Sequence, residues 1–179
     1  MRGSIALALN IILVVAAPGQ GPNAPASPAP LHVRDGFELT VHAPLKSATA
    51  LFGAHGERLW AGGNWDPHFL WPQPEQDKKG AVFTVGEDQV PWVMTAFDLE
   101  GGHVQYAFFT GHMLATVLDI HLAPLGPAET KVTIAYEWTA LKPEANDHIQ
   151  HMAEAHRQMG KHWETAINDA LQKQKNKTN

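Results

Sequence analysis

Three groups of residues in this chain have types and spacings suited to chemistry. His156 lies at the centre of the apolar stripe of a predicted last helix, Ala145 to about Lys173, among Ile149, Met152, Ala153, Met159, Gly160, Trp163, Ile167 and Leu171. A neutral imidazole there offers one donor and one acceptor, enough to orient a ligand carbonyl or hydroxyl or to move a proton. A buried histidine bonded to Tyr106, Tyr136 or a backbone carbonyl is the alternative. His148 and His151 form the second group, spaced i, i+3 with Glu144 one turn earlier, and such a stripe can chelate a divalent ion. His162 lies about 16 Å beyond His151 at the helical rise and cannot complete the set. With no H-E-x-x-H and no cysteine, the stripe is read as adventitious and no metal site is assigned. Asp66 and His68 form the third, a carboxylate two residues from an imidazole. Asp66 before Pro67 serves equally as a turn residue, so no catalytic residue is assigned.

Composition narrows the function classes. The chain has 179 residues, 44% apolar and 17% charged, which fits one domain with a sizeable core. A net charge of −5, with no basic block apart from Lys173, Lys175 and Lys177, argues against nucleic acid as a partner. Eleven histidines nearly match the thirteen Lys plus Arg, so the charge depends strongly on pH. No glycine-rich phosphate loop or nucleophile elbow is present, and Gly62-Gly63 precedes a loop instead of a helix, so no cofactor is expected.

The amino terminus reads as targeting. Met1-Arg2-Gly3-Ser4 precedes Ile5 to Ala17, apolar except for Asn10 and too short to span a bilayer comfortably. Residues 1–17 are expected to be a secretory signal with an open cleavage site. Residues 18–30 are read as a Pro-rich linker, 31–173 as the domain and 174–179 as a disordered tail. A periplasmic or secreted protein, not a membrane protein after cleavage, follows. Without cysteine it must be stable through its core alone.

The elements that would position these residues follow from hydrophobic period. Phe37, Leu39 and Val41 alternate with polar residues as in a strand, which Pro44 ends. Leu45 to Phe52 and His55 to Ala61 are predicted as two short helices, broken by Gly53 and Gly56. The Pro- and Trp-rich stretch Gly62 to Gly80 has room only for a short edge strand. Alternation then returns in Ala81 to Val85, Pro91 to Asp98, Val104 to Thr110, Met113 to Ala123 and Thr130 to Leu141. Short turns such as Glu100-Gly101-Gly102 make the sheet antiparallel and sequential. On the last strand Val132, Ile134, Tyr136 and Trp138 share one face, which is expected to point inward.

From Leu31 to about Lys173 this order resembles the helix-grip fold of the START-like, or SRPBCC, superfamily of polyketide cyclases, lipid-transfer domains and co-chaperone activator domains. The resemblance is carried by Ala43-Pro44-Leu45 with Leu51-Phe52, Trp60, Trp65-Asp66-Pro67, Gly80 to Thr84, Asp98, Val104 with Tyr106, and the strand Thr130 to Trp138. It implies an α+β fold in which a curved antiparallel sheet of six to seven strands wraps around a long C-terminal helix, with two short helices after the first strand. It also implies an apolar ligand held between sheet and helix, and no catalytic set transfers with it. The residues then expected to contact that ligand are Trp92, Tyr106, Tyr136, Trp138, Met152, His156, Met159 and Trp163. The leading expectation is an exported binding protein for a small hydrophobic or amphipathic molecule. A cyclase or dehydratase using His156 as acid/base, and an interaction domain of the cell envelope, are the alternatives.

Overall fold

Alternation over residues 32–140 produces one antiparallel sheet. In the computed structural model, residues 28–63 and 65–178 are described. The expected signal, nearly all of the expected linker, Asn64 and Asn179 lie outside them. The strands are β1 (His32–Val41), β2 (His68–Trp71), β3 (Val82–Val85), β4 (Val90–Asp98), β5 (His103–Thr110), β6 (Leu114–Gly126) and β7 (Glu129–Ala140). Their order is β1-β7-β6-β5-β4-β3-β2, so β2 to β7 form a meander and the first strand closes onto the last. The curved sheet, the two short helices and the C-terminal helical segment make up the helix-grip fold.

The inward face carries the side chains that the alternation selects. Phe83, Met94, Tyr106, Ile120, Ile134 and Trp138 are fully buried, each contributing on the order of 2 kcal/mol of transfer free energy. β1 approaches β7 so closely at Gly36 that a Cβ there would stand 2.0 Å from the Ile134 carbonyl oxygen. Only glycine fits that crossing.

Pro44 caps α1 (Leu45–Ala50), and Gly53 caps α2 (Ala54–Glu57) in extended conformation. Both helices are shorter than their periodicity suggests, because turns at Leu51 to Gly53 and after Glu57 consume the remaining residues. Asn146 ties the C-terminal segment to the start of β1, its side chain accepting from Leu31 N–H at 2.8 Å and donating to the Ala29 carbonyl at 3.0 Å.

The single long helix of the sequence reading is broken into α3 (Asn146–Arg157) and α4 (Met159–Thr178), after a 3-10 turn at Pro143–Ala145. At the break the Gln158 N–H bonds to Ala155, a 3-10 tightening of the last turn. The break adjoins Gly160, where a Cβ would lie 3.1 Å from the Phe37 ring, so the missing side chain lets α4 close on β1. α4 is helical past residue 173, through Thr178. Ile149 of α3 and Ile167 of α4 are fully buried. Among the described residues no helix is long and apolar enough to cross a membrane.

Candidate functional site

The helical corner forms one wall of a cavity, and its buried stripe includes a carboxylate. Ala54, Glu57 and Trp60 recur at i, i+3, i+6 and are all buried. The indole N–H of Trp60 donates to the Leu51 carbonyl at 2.7 Å, and that of Trp65 to the Ala54 carbonyl at 3.0 Å. Both rings are thereby fixed to the corner's backbone. α4 supplies the opposite wall through Met159, His162, Trp163 and Ala166, spaced i, i+3, i+4, i+7 on one helical face. Trp163 meets Trp60 edge-on at 5.0 Å and Phe37 at 5.3 Å. Met159, His162, Trp163 and Ala166, with Glu57, Trp60, Ala61 and Trp65, line a cavity of about 240 Å³ that opens to solvent beside the exposed Ala61 and His162.

Glu57 is the polar group of that cavity's buried wall. It is 4% exposed, and its Oε1 has no hydrogen-bond partner. Burial, reinforced by the negative charge of Asp77, pushes its carboxyl well above the usual carboxylate range. Asp77 is itself raised by burial, although His55 and the Ala54 backbone act against that. Burial raises the Tyr106 and Tyr136 hydroxyls too, and Glu57 adds to the effect at both. A carboxyl in this setting favours its neutral form, which both donates and accepts a hydrogen bond.

The structure divides the expected contact residues between cavity and core. Met159 and Trp163 line the cavity. Trp92 stacks on Phe108 at 3.7 Å and meets Trp65 edge-on at 5.4 Å, one ring removed from it. Tyr106 donates its hydroxyl to the Phe52 carbonyl at 2.7 Å in the buried interior. Tyr136 and Trp138 stack at 5.2 Å, and the half-buried His156 packs edge-on against them at 4.5 and 5.1 Å. His156 Nδ1 lies 2.8 Å from the Met152 carbonyl of its own helix, and Met152 is half-buried. Glu57, Trp60, Ala61, Trp65, His162 and Ala166 complete the cavity and were absent from the expected set. No spacing marks Glu57 as buried, because α2 has only four residues and Trp60 lies beyond its end.

The other two groups read as surface features. Asp66 and His68 form an exposed pair at 3.5 Å. His151 Nδ1 lies 2.7 Å from the Asp147 carbonyl. His148 borders a wider groove of about 850 Å³ with Val90, Phe109, Met113 and Leu141. No buried polar atom without a partner lies on that groove.

No protein family and no curated protein sequence matches the chain. Solved structures do. A norcoclaurine synthase point mutant from Thalictrum flavum, in complex with a transition state analogue, aligns with TM-score 0.59 and 15% identity over 82% of this chain and 98% of its own. Ara h 8.0201 aligns with TM-score 0.54 and 12% identity over 79% and 99%. Major latex-like protein 151 from Panax ginseng aligns with TM-score 0.54 and 15% identity over 79% and 95%. All three share the helix-grip fold with this chain.

Proposed function

We propose that this protein binds a small hydrophobic or amphipathic molecule, without covalent chemistry, in the cavity between the helical corner and α4. The observation that carries the reading is Glu57, a carboxyl buried in a tryptophan-lined cavity with Oε1 unpartnered. An unsatisfied buried polar atom costs about 1–3 kcal/mol, and because Glu57 lines the cavity, a small shift of its carboxyl would let a ligand hydroxyl, amide or amine supply the missing partner. Apolar walls with one polar group that fixes orientation are the usual composition of a small-molecule site. At about 240 Å³ the cavity is smaller than the roughly 300–1,000 Å³ of drug-sized sites, so the ligand is correspondingly small. The fold shared with a norcoclaurine synthase that holds a transition state analogue supports the same reading.

Trp60, Trp65 and Trp163 make the site report on itself, because a bound molecule changes their fluorescence. Native mass spectrometry of protein purified from its own host should show one co-purifying small molecule, lost in Trp163→Ala. Titration with single-ring phenols and amines should change wild-type fluorescence and leave Trp163→Ala unresponsive. An empty wild-type protein that also ignores the whole set would overturn the reading.

The basic start and apolar run of residues 1–17 support export as part of the same proposal. Intact-mass analysis should find a shortened chain in the periplasm or medium. A full-length chain confined to the cytoplasm would refute export and leave the binding proposal standing.

A further inference from the structure

On the outer face of the sheet, away from the core, three side chains of β5 and β6 converge. His103 and His121 are register partners across the two strands, and Asp119 shares the face of His121 because strand side chains alternate with period two. The imidazole rings stack 4.3 Å apart at 5°. His103 Nε2 lies 2.8 Å from Asp119 Oδ1, and His121 Nε2 lies 3.2 Å from Oδ2. The three ligand atoms all fall within 4.8 Å of one another.

The carboxylate is held in place from behind. Gln105 Nε2 donates to Asp119 Oδ1 at 3.0 Å, while Gln105 Oε1 accepts from the Thr95 hydroxyl at 2.7 Å. Such a chain orients a metal-ligating carboxylate, and outer partners of this kind tune affinity. Asp119 is 18% exposed, whereas His121 is 61% exposed, so an ion can enter from solvent onto an already oriented carboxylate.

We propose that His103, Asp119 and His121 form a binding site for a divalent transition-metal ion, Zn²⁺ or Co²⁺ in character. Tetrahedral coordination at about 2.0–2.2 Å places ligand atoms roughly 3.3 Å apart. Each Nε2 lies 2.8 or 3.2 Å from one of the two Asp119 oxygens and the three ligand atoms fall within 4.8 Å, so a small inward movement closes the set on an ion. Binding an ion must turn the stacked imidazoles so that both Nε2 lone pairs converge, and it replaces the Nε2–H bonds to Asp119, each ring then carrying its proton on Nδ1. Two imidazoles and one carboxylate leave a fourth position open to water, as in zinc sites with three protein ligands. The sequence reading looked for a metal along the helical spacing of His148 and His151. The converging set lies instead across two strands.

Titration of the full chain with Co²⁺, followed by visible absorption, and with Zn²⁺ by calorimetry tests the site. One ion per chain is expected, with Asp119→Asn or His121→Ala weakening binding at least about 100-fold, since each removes a direct ligand. Gln105→Ala, which removes only the support, should weaken it roughly 10–100-fold. His148→Ala with His151→Ala should change nothing. Metal-free melting curves of His121→Ala should match wild type, which separates a lost ligand from a lost fold. Absence of saturable binding in wild type, wild-type affinity in both Asp119→Asn and His121→Ala, or loss only in the His148/His151 variant would each overturn the proposal.

Discussion

Replacing Glu57 with glutamine should make the protein more stable as pH rises, an effect opposite to that of most buried substitutions. The folded-state carboxyl titrates well above its ordinary value because it is buried, with Asp77 adding repulsion. In the unfolded chain it ionises near its usual value of about 4.3. Between these two values the unfolded state has released a proton that the folded state still holds. Stability is therefore fully present below the unfolded pKa and is lost as pH climbs towards the folded one. A single proton sets a limiting slope of about 1.4 kcal/mol per pH unit. For a chain of this size that corresponds to roughly 3–6 °C of melting temperature per unit. Glutamine has nearly the same shape and does not ionise, so Glu57→Gln removes this slope. The titrations of groups not coupled to Glu57, which excludes Asp77, cancel in the comparison. Melting curves of both proteins by circular dichroism, taken from pH 5 to 8, should diverge in favour of Glu57→Gln. Glu75→Gln, at a half-exposed carboxylate, serves as the control. Parallel lines for wild type and Glu57→Gln, or a gap that closes with rising pH, would show that Glu57 is not held neutral by burial.

Two further substitutions test the packing of the sheet. Thr116 Oγ1 and Trp138 Nε1 are buried without partners on register-paired residues of β6 and β7, so Thr116→Val should stabilise the fold by about 1–2 kcal/mol in chemical denaturation. A destabilised variant would mean that the hydroxyl has a partner in solution. Gly36→Ala would drive a Cβ into the Ile134 carbonyl oxygen, and it should lower stability by more than about 3 kcal/mol because β1 must separate from β7. A melting temperature within about 2 °C of wild type would contradict the close strand crossing.

How much of this was legible in the sequence depends on the distance over which each signal acts. The sheet was legible because Val132, Ile134, Tyr136 and Trp138 alternate with Thr133, Ala135 and Glu137, and their faces divide into buried and more exposed sets as the period requires. Met159 and Trp163 were legible as cavity residues for the same local reason, the recurrence of a helical face. The rest of the cavity was not. Glu57 belongs to a helix of four residues, too short for periodicity to mark its face with confidence, and a glutamate ordinarily argues for solvent. Its surroundings come from distant segments, Asp77 and the sheet's Tyr106 and Tyr136 on one side and α4, about a hundred residues away in sequence, across the cavity. His156 shows the converse. Its position on an apolar stripe was correctly striking as a local pattern, yet the ring spends its polarity on the Met152 carbonyl and its surface on Tyr136 and Trp138. The outer-face histidines complete the contrast, since nothing in their spacing distinguishes them from the rest of a histidine-rich chain. Only the register of β5 against β6 brings His103 beside Asp119 and His121. Chemistry carried by a single element can thus be read from spacing, whereas both sites argued for this protein are assembled from two elements, and neither has a one-dimensional signature.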